Sequence, residues 1–183
     1  MAMTAVFLAE GFEEIEALTV VDLLRRARIG CGTVSITEDH KVTGSHKIPV
    51  IADQVFAEVD FDDLDMIILP GGMPGTNHLK ECEPLKEKIR MFDEAHRHLA
   101  AICAAPTVFG EMGLLEGRNA CCFPGLEDGL VGATALKEEV VVDGHFITSR
   151  GMGTAIPFGL EIIRCFQGRE AAKGMAERIV YGG

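Results

Sequence analysis

The sequence lacks any segment that could cross a membrane, because no apolar run approaches the roughly 20 residues that span a bilayer. Its start, MAMTAVFLAEGFEE, lacks a basic n-region and turns acidic too early for a secretory signal peptide. Basic runs are also missing, and the formal net charge is −11. Nucleic-acid phosphates and anionic membranes repel such a chain, so we expect neither as a partner. A cytoplasmic protein is the expectation.

Signatures of metal and nucleotide sites are missing as well. The six cysteines include no C-x-x-C pair, and no Cys/His cluster has zinc-binding spacing. There is no Walker A sequence, and SRGMGTAI has Ile156 where a dinucleotide-binding fingerprint needs its third glycine. We therefore expect no metal, no cofactor, and free thiols in a reducing compartment.

Apolar strand-like runs alternate with helix-like runs along the chain. The predicted strands are Thr4–Ala9, Gly32–Thr37, Asp65–Gly72 with a glycine turn at its end, 99–102, and a hairpin over Glu138–Ser149; the predicted helices are Glu13–Ala27, Glu83–His98, one beginning near Pro106 and two that close the chain. Alternation of this kind, with apolar strands, indicates a parallel sheet covered on both faces. We predict one doubly wound α/β domain over residues 1–183, with its site at the carboxyl ends of the strands.

The stretch HLAAICAAPTVFG places one cysteine at a predicted turn. Pro106 restricts the residue before it and tolerates a first helical turn, so the chain must pass sharply from strand to helix after Ile102. Such a bend would lift Cys103 clear of the sheet, and the helix start would lower its pKa. Free N–H groups near Ala104 could bind an oxyanion. A buried thiol that merely fills space explains this stretch equally well.

Two further segments are candidates for the same edge of the sheet. LPGGMPG has consecutive glycines, which let N–H groups approach an anion, although an ordinary turn explains it too. Helix-dipole compensation accounts for Glu13 and Glu14, whereas Glu16 lies inside an apolar pattern. The helix Glu13–Ala27 is apolar over more than one face, so we expect a second copy of the chain to cover it in a homodimer. Partial desolvation would raise the pKa of Glu16.

The sequence resembles the ThiJ/PfpI superfamily, in the branch of the parkinsonism-associated protein deglycase and its bacterial relatives. The resemblance covers essentially the whole chain and rests on EGFEEIEA, VDLLRRA, LPGG, AAICAAP and TSRGMGT in this order. It implies a flavodoxin-like, mostly parallel sheet with helices on both faces, and a homodimer. It also implies that Cys103 is an elbow nucleophile, that protonated Glu16 lies against its sulfur, and that the N–H groups of Gly72 and Ala104 form an oxyanion site.

Two positions depart from patterns within this superfamily. Its protease-like and amidotransferase-like branches carry a histidine directly after the cysteine, where this sequence has Ala104. The parkinsonism-associated relative has a histidine near the cysteine on a neighbouring strand, at a position occupied here by Phe123. A Cys–His hydrolase is therefore disfavoured, and Glu16 must carry the proton in any mechanism.

The resemblance implies a cofactor-independent glyoxalase or protein deglycase, in which Cys103 attacks a small 2-oxoaldehyde such as methylglyoxal or glyoxal, or an adduct of one. The alternative is a redox-sensing, stress-protective chaperone whose Cys103 is oxidised to a sulfinate. A cysteine hydrolase or peptidase is the weaker third interpretation. The residues themselves do not choose a physiological substrate.

Overall fold

A seven-stranded sheet forms the centre of the computed structural model, which describes residues 2–182. The strands are β1 (Met3–Leu8), β2 (Gly30–Ser35), β3 (Lys41–Thr43), β4 (Pro49–Ile51), β5 (Gln54–Val55), β6 (Met66–Leu69), β7 (His98–Ile102), β8 (Asn119–Ala120), β9 (Thr134–Ala135), β10 (Val140–Asp143) and β11 (Phe146–Ser149). The order across the central sheet is β10-β11-β7-β6-β1-β2-β5, and only the β10–β11 pair is antiparallel. The predicted mostly parallel α/β sheet is confirmed.

Helices cover both faces of this sheet, as its apolar strands require. They are α1 (Glu14–Arg26), α2 (Gly75–Glu81), α3 (Glu83–Glu94), α4 (Pro106–Glu111), α5 (Ala155–Gln167) and α6 (Arg169–Arg178). Along β1, Val6 and Leu8 join the core under α1, α5 and α6, while Ala5 and Phe7 join the core under the other three helices. No helix within residues 2–182 combines the length and the apolar character needed to cross a membrane.

The end of α3 and the whole of α2 are the clearest differences from the sequence prediction. The helix expected over Glu83–His98 ends at Glu94, and His98 instead begins β7, where its N–H donates to the carbonyl of Asp65 at 3.2 Å. Pairing with β6 thus places His98 in a strand, although the helical pattern of the sequence alone would continue the helix to this residue. The helix α2, directly after the glycine turn, was not predicted, because GTNHLKE is short and carries little apolar periodicity.

The helix α1 packs against both the sheet and α5, which lies beside it on the same face of the sheet. The approach is close: a Cβ on Gly159 of α5 would lie 2.6 Å from Cδ1 of Leu23. Ile15 and Leu18 stay outside both contacts, with 48% and 38% of their surface exposed. Another helix of the same chain therefore covers part of the apolar surface of α1, and the second copy over this helix stays a prediction.

Candidate active site

Cys103 lies at the turn between β7 and α4 with a φ of +65°, in the left-handed region. A non-glycine residue adopts this conformation at a cost of about 1–2 kcal/mol. Two backbone hydrogen bonds hold it there: its N–H donates to the carbonyl of Ser149 at 3.0 Å, and its carbonyl accepts from the N–H of Phe123 at 2.8 Å. The predicted bend at Cys103 is confirmed, and its backbone has the strain typical of a nucleophile elbow.

Glu16 reaches the same point from the first turn of α1. Its side chain is buried, with 1% of its surface exposed, and its Oε2 accepts a hydrogen bond from the N–H of Gly71 at 2.9 Å. A second hydrogen bond joins Glu16 to the side chain of Cys103. Burial raises the pKa of Glu16 to about 7, although both hydrogen bonds act in the opposite direction. This rise in pKa was predicted from the sequence.

The backbone of the glycine turn after β6 packs closely against the side chains of Cys103 and Glu16. A Cβ on Gly71 would lie 2.6 Å from Cβ of Cys103 and 2.7 Å from Oε2 of Glu16. Gly72 has a φ of +91°, and a Cβ there would lie 2.4 Å from the backbone nitrogen of Glu13. Only glycine fits either position. The sequence analysis singled out Gly72 but missed Gly71, whose amide holds the carboxyl group.

Two backbone amides point at the sulfur. The N–H groups of Gly72 and Ala104 lie close enough to the side chain of Cys103 to lower its pKa as hydrogen-bond donors. Within residues 2–182, neither amide donates to another backbone oxygen. The two donors predicted for an oxyanion site are therefore brought together on one side of the candidate nucleophile.

Cys103 and Glu16 titrate as a coupled pair. Burial is the largest cause that raises the pKa of the Cys103 thiol to about 12, followed by the charge and the hydrogen bond of Glu16, whereas the amides of Ala104 and Gly72 lower it. The expectation that the turn would lower this pKa is wrong for a thiol beside an ionised Glu16. The pair loses its first proton near pH 7 and its last near pH 12, so it shares one proton between these two pH values.

Glu14 has a structural role that its position in the first helical turn did not reveal. It is 4% exposed, and its carboxylate accepts hydrogen bonds from the N–H of His46 at 2.8 Å and the hydroxyl of Ser45 at 3.3 Å. Glu13, Glu14 and His46 bring one potential ligand atom each within 4.8 Å of one another. These contacts fasten the β3–β4 hairpin to the start of α1, next to Glu16.

The sequence profile of the DJ-1/PfpI family matches residues 3–165. The chain belongs to this family. It is 34% identical to protein dj-1beta of Drosophila melanogaster over 177 residues, which are 96% of this chain and 95% of that protein. It is 32% identical to the glutathione-independent glyoxalase DJR-1.2 of Caenorhabditis elegans over 169 residues, which are 91% of this chain and 89% of that protein.

Other DJ-1/PfpI relatives include a longer protein and two solved structures with the same fold. Identity to protein DJ-1 homolog A of Arabidopsis thaliana is 40% over 166 residues, so 90% of this chain spans only 42% of that protein. Oxidized DJ-1 of Toxoplasma gondii has a TM-score of 0.95 and 31% identity, with full coverage (100%) of both chains. A cysteine-to-alanine mutant of a DJ-1 superfamily protein from Salmonella typhimurium has a TM-score of 0.95 and 32% identity, again with 100% of both chains covered. These matches confirm the flavodoxin-like fold.

Proposed function

We propose that the protein is a cofactor-independent glyoxalase and deglycase in which Cys103 attacks small 2-oxoaldehydes or their adducts. The supporting observation is the convergence of a strained elbow cysteine, a buried carboxyl group with a pKa of about 7, and two backbone amides. A DJ-1/PfpI relative with 32% identity bears the name of a glutathione-independent glyoxalase. Conversion of methylglyoxal to lactate is a net addition of water, so it consumes no oxidant or reductant.

The first step forms a carbon–sulfur bond. The Cys103 thiolate adds to the aldehyde carbon of methylglyoxal, and the carbonyl oxygen becomes an alkoxide near the amides of Gly72 and Ala104. Glu16 then gives its proton to this oxygen, which leaves a hemithioacetal and an ionised carboxylate. The proton shared by the Cys103–Glu16 pair is the one that this step uses.

The second step moves hydrogen between adjacent carbons. The Glu16 carboxylate removes the proton from the former aldehyde carbon, and the electron pair passes to the ketone oxygen through an enediolate. Glu16 returns that proton to the second carbon, while the hydroxyl proton of the first carbon passes to the second oxygen. The product is a thioester of lactate on Cys103. A pKa of about 7 suits a group that must both accept and donate a proton near neutrality.

Hydrolysis of the thioester completes the cycle. Water attacks the thioester carbonyl as Glu16 takes one of its protons, and the amides of Gly72 and Ala104 stabilise the tetrahedral oxyanion. The carbon–sulfur bond then breaks, lactate leaves, and the thiolate of Cys103 returns. For an adduct of the aldehyde with an amine or guanidine, the thiolate would displace the nitrogen group at the carbinol carbon: the carbon–nitrogen bond breaks, Glu16 gives its proton to the leaving nitrogen, and the same hemithioacetal results.

Purified protein incubated with methylglyoxal tests this proposal. Lactate should form with the wild type, and production should fall at least a hundredfold in Cys103→Ser and in Glu16→Ala. A Cys165→Ser variant, which alters the exposed thiol, should keep the wild-type rate. Equal lactate production in all four proteins would rule out the proposed chemistry.

A redox-sensing, stress-protective role is the second candidate, and the same geometry favours it. A Cys103 thiolate would attack peroxide, forming a sulfur–oxygen bond and releasing water, and a second peroxide would convert the sulfenate to a sulfinate. Protonated Glu16 could donate a hydrogen bond to a sulfinate oxygen. Peptide mass spectrometry after mild peroxide should show Cys103 oxidised before Cys165; equal oxidation of both would reject this role.

We also propose a homodimer that forms through α1. Ile15 and Leu18 are exposed large apolar side chains on one surface of this helix, where they would favour burial against a second copy. Light scattering should give a dimer for the wild type and a monomer for Ile15→Glu. A monomeric wild type would contradict this assembly.

A further inference from the structure

A cavity of about 250 Å³ opens beside Ala104, between α2, α4 and the 3-10 turn Glu127–Gly129. Thr76, Asn77 and Lys80 line it from α2. Ala104 connects it to the active site, because this residue lines the cavity and directly follows Cys103 in the turn. We call it the α2–α4 cavity. The methyl group of methylglyoxal would occupy only a small part of this space.

Thr76 lines the α2–α4 cavity and has a buried hydroxyl without a partner. Thr76 is 1% exposed, and its Oγ1 is the one buried side-chain oxygen or nitrogen within residues 2–182 that has no hydrogen-bond partner. Leaving such a group unpaired is costly, so unpaired groups of this kind are uncommon in folded proteins. A threonine in a helix can adopt two side-chain rotamers, which allows its hydroxyl to turn toward a ligand.

The charged groups around the cavity have an acidic balance. Lys80 forms an ion pair with Glu111, so these two lining residues compensate each other. Asp128 also lines the cavity, and in the described part of the chain it forms no ion pair. The remaining charge is negative, and the amide of Asn77 and the hydroxyl of Thr76 supply uncharged hydrogen-bonding groups.

The wall opposite α2 is held in place by close packing. A Cβ on Gly110 of α4 would lie 2.1 Å from the carbonyl oxygen of Gly129, and a Cβ on Gly129 would lie 2.6 Å from Cγ2 of Thr107. The 3-10 turn therefore packs directly against α4 and cannot move closer to it, which fixes this wall of the cavity. Its side chains, rather than backbone movement, would select what binds.

We propose that the α2–α4 cavity is a substrate subsite for an uncharged hydrogen-bonding or cationic substituent that is larger than the methyl group of methylglyoxal. This inference rests on the proposed function, since the substituent belongs to the 2-oxoaldehyde that Cys103 attacks. Thr76 and Asn77 hydrogen-bond the substituent, and Asp128 favours a cation over an anion. The preferred substrates are thus larger, non-acidic 2-oxoaldehydes.

Three para-substituted phenylglyoxals test the subsite: one with hydroxymethyl, one with trimethylammonium and one with carboxylate. Each kcat/KM is divided by that for methylglyoxal, which removes effects on the chemical steps. Thr76→Val should lower the hydroxymethyl ratio about tenfold, as expected for one lost hydrogen bond, and Thr76→Ser should restore it. Asp128→Asn should lower the preference for trimethylammonium over carboxylate about 3–10-fold.

Glu177→Gln is the matched control for charge. It removes one exposed carboxylate from α6, on the opposite face of the sheet, and should change neither ratio by more than twofold. Ratios that are the same in the wild type, Thr76→Val and Asp128→Asn would overturn the subsite. So would an equal effect of Glu177→Gln and Asp128→Asn, which would show that only the overall charge matters.

Failure of the proposed function can be separated from failure of the subsite. If the wild type turns over no 2-oxoaldehyde, the glyoxalase proposal is rejected, and the cavity is tested by labelling Cys103 with a cationic and an anionic methanethiosulfonate. A fall in the cation-to-anion rate ratio in Asp128→Asn, but not in Glu177→Gln, supports a cation-selective subsite. An unchanged ratio overturns it without reference to turnover.

Discussion

Replacement of Glu16 by glutamine tests where the shared proton resides. In the wild type, the pair loses its first proton near pH 7, and the proposed chemistry requires that this proton leaves sulfur while Glu16 keeps its own. The amides of Ala104 and Gly72 favour a thiolate, whereas burial and an ionised Glu16 oppose it. The deeper burial of the carboxyl group favours a neutral Glu16, which removes the opposing charge. Alkylation of wild-type Cys103 should therefore rise with a midpoint near pH 7.

Glutamine keeps the shape of Glu16 but is a weaker donor than a carboxylic acid. Its oxygen can still accept the N–H of Gly71, while its NH₂ gives the thiolate a poorer hydrogen bond. The midpoint should then move upward toward 9.0, the ordinary pKa of the thiol. A rise of about 1–2 pH units corresponds to about 1.4–2.7 kcal/mol, or 10–100-fold less thiolate at pH 7.

Iodoacetamide labelling across pH, read by mass spectrometry of the peptide that contains Cys103, measures both midpoints. The peptides with Cys165 and Cys82 provide references in the same sample, because these thiols are not fully buried. A wild-type midpoint near 12 that falls in Glu16→Gln would refute the reasoning. That outcome would mean that the shared proton stays on sulfur and that Glu16 only repels the thiolate.

Further predictions concern the packing and stability of the same region. Gly71→Ala should abolish methylglyoxal turnover and lower the free energy of unfolding by about 1–3 kcal/mol in urea titrations, because the added Cβ would overlap Cys103 and Glu16. Gly153→Ala is the control: a Cβ there has no neighbour within 4 Å, so its free energy of unfolding should stay within about 0.5 kcal/mol of the wild type. The Cys103–Glu16 pair loses its first proton near pH 7, above the ordinary carboxyl pKa of 4.5, so the pair's contribution to stability is present below pH 4.5 and is lost as pH rises through about 7. Urea titrations should show the wild type losing up to about 3 kcal/mol relative to Glu16→Gln between pH 5 and pH 8, and a constant difference would contradict this. Thr76→Val should raise the melting temperature, because it removes a buried unpaired hydroxyl whose desolvation destabilises the fold by about 1–3 kcal/mol. A lower melting temperature would show that the hydroxyl is paired in solution.

Much of the candidate site was predictable from local sequence. The bend at Cys103 follows from a buried strand that must stop before Pro106, and Glu16 was conspicuous as an acidic residue inside an apolar helical pattern. The glycine turn that includes Gly72 could be read as a place where amides approach a ligand. The family resemblance predicted that these three segments form one site, without any distance from the structure.

Other features could not be read from the chain because they arise from contacts between distant segments. Glu14 had the same local signal as any acidic residue at a helix start, and only the β3–β4 hairpin, over thirty positions away, gives it buried partners. The end of the helix at Glu94 is set by the pairing of β7 with β6 rather than by a local stop signal. The α2–α4 cavity requires three segments to meet, and no periodicity encodes that meeting.

The sequence by itself determined the alternation of strands and helices, the turn at Cys103 and the acidic character of the chain, because each depends on residues close together along the backbone. Tertiary structure decided the protonation of the Cys103–Glu16 pair, since burial and Coulomb interaction depend on distance in space. It also decided the covering of α1 by α5 and the unpaired hydroxyl of Thr76. A shifted pKa and a cavity both depend on which residues surround a point in space, and only the folded chain brings those residues together.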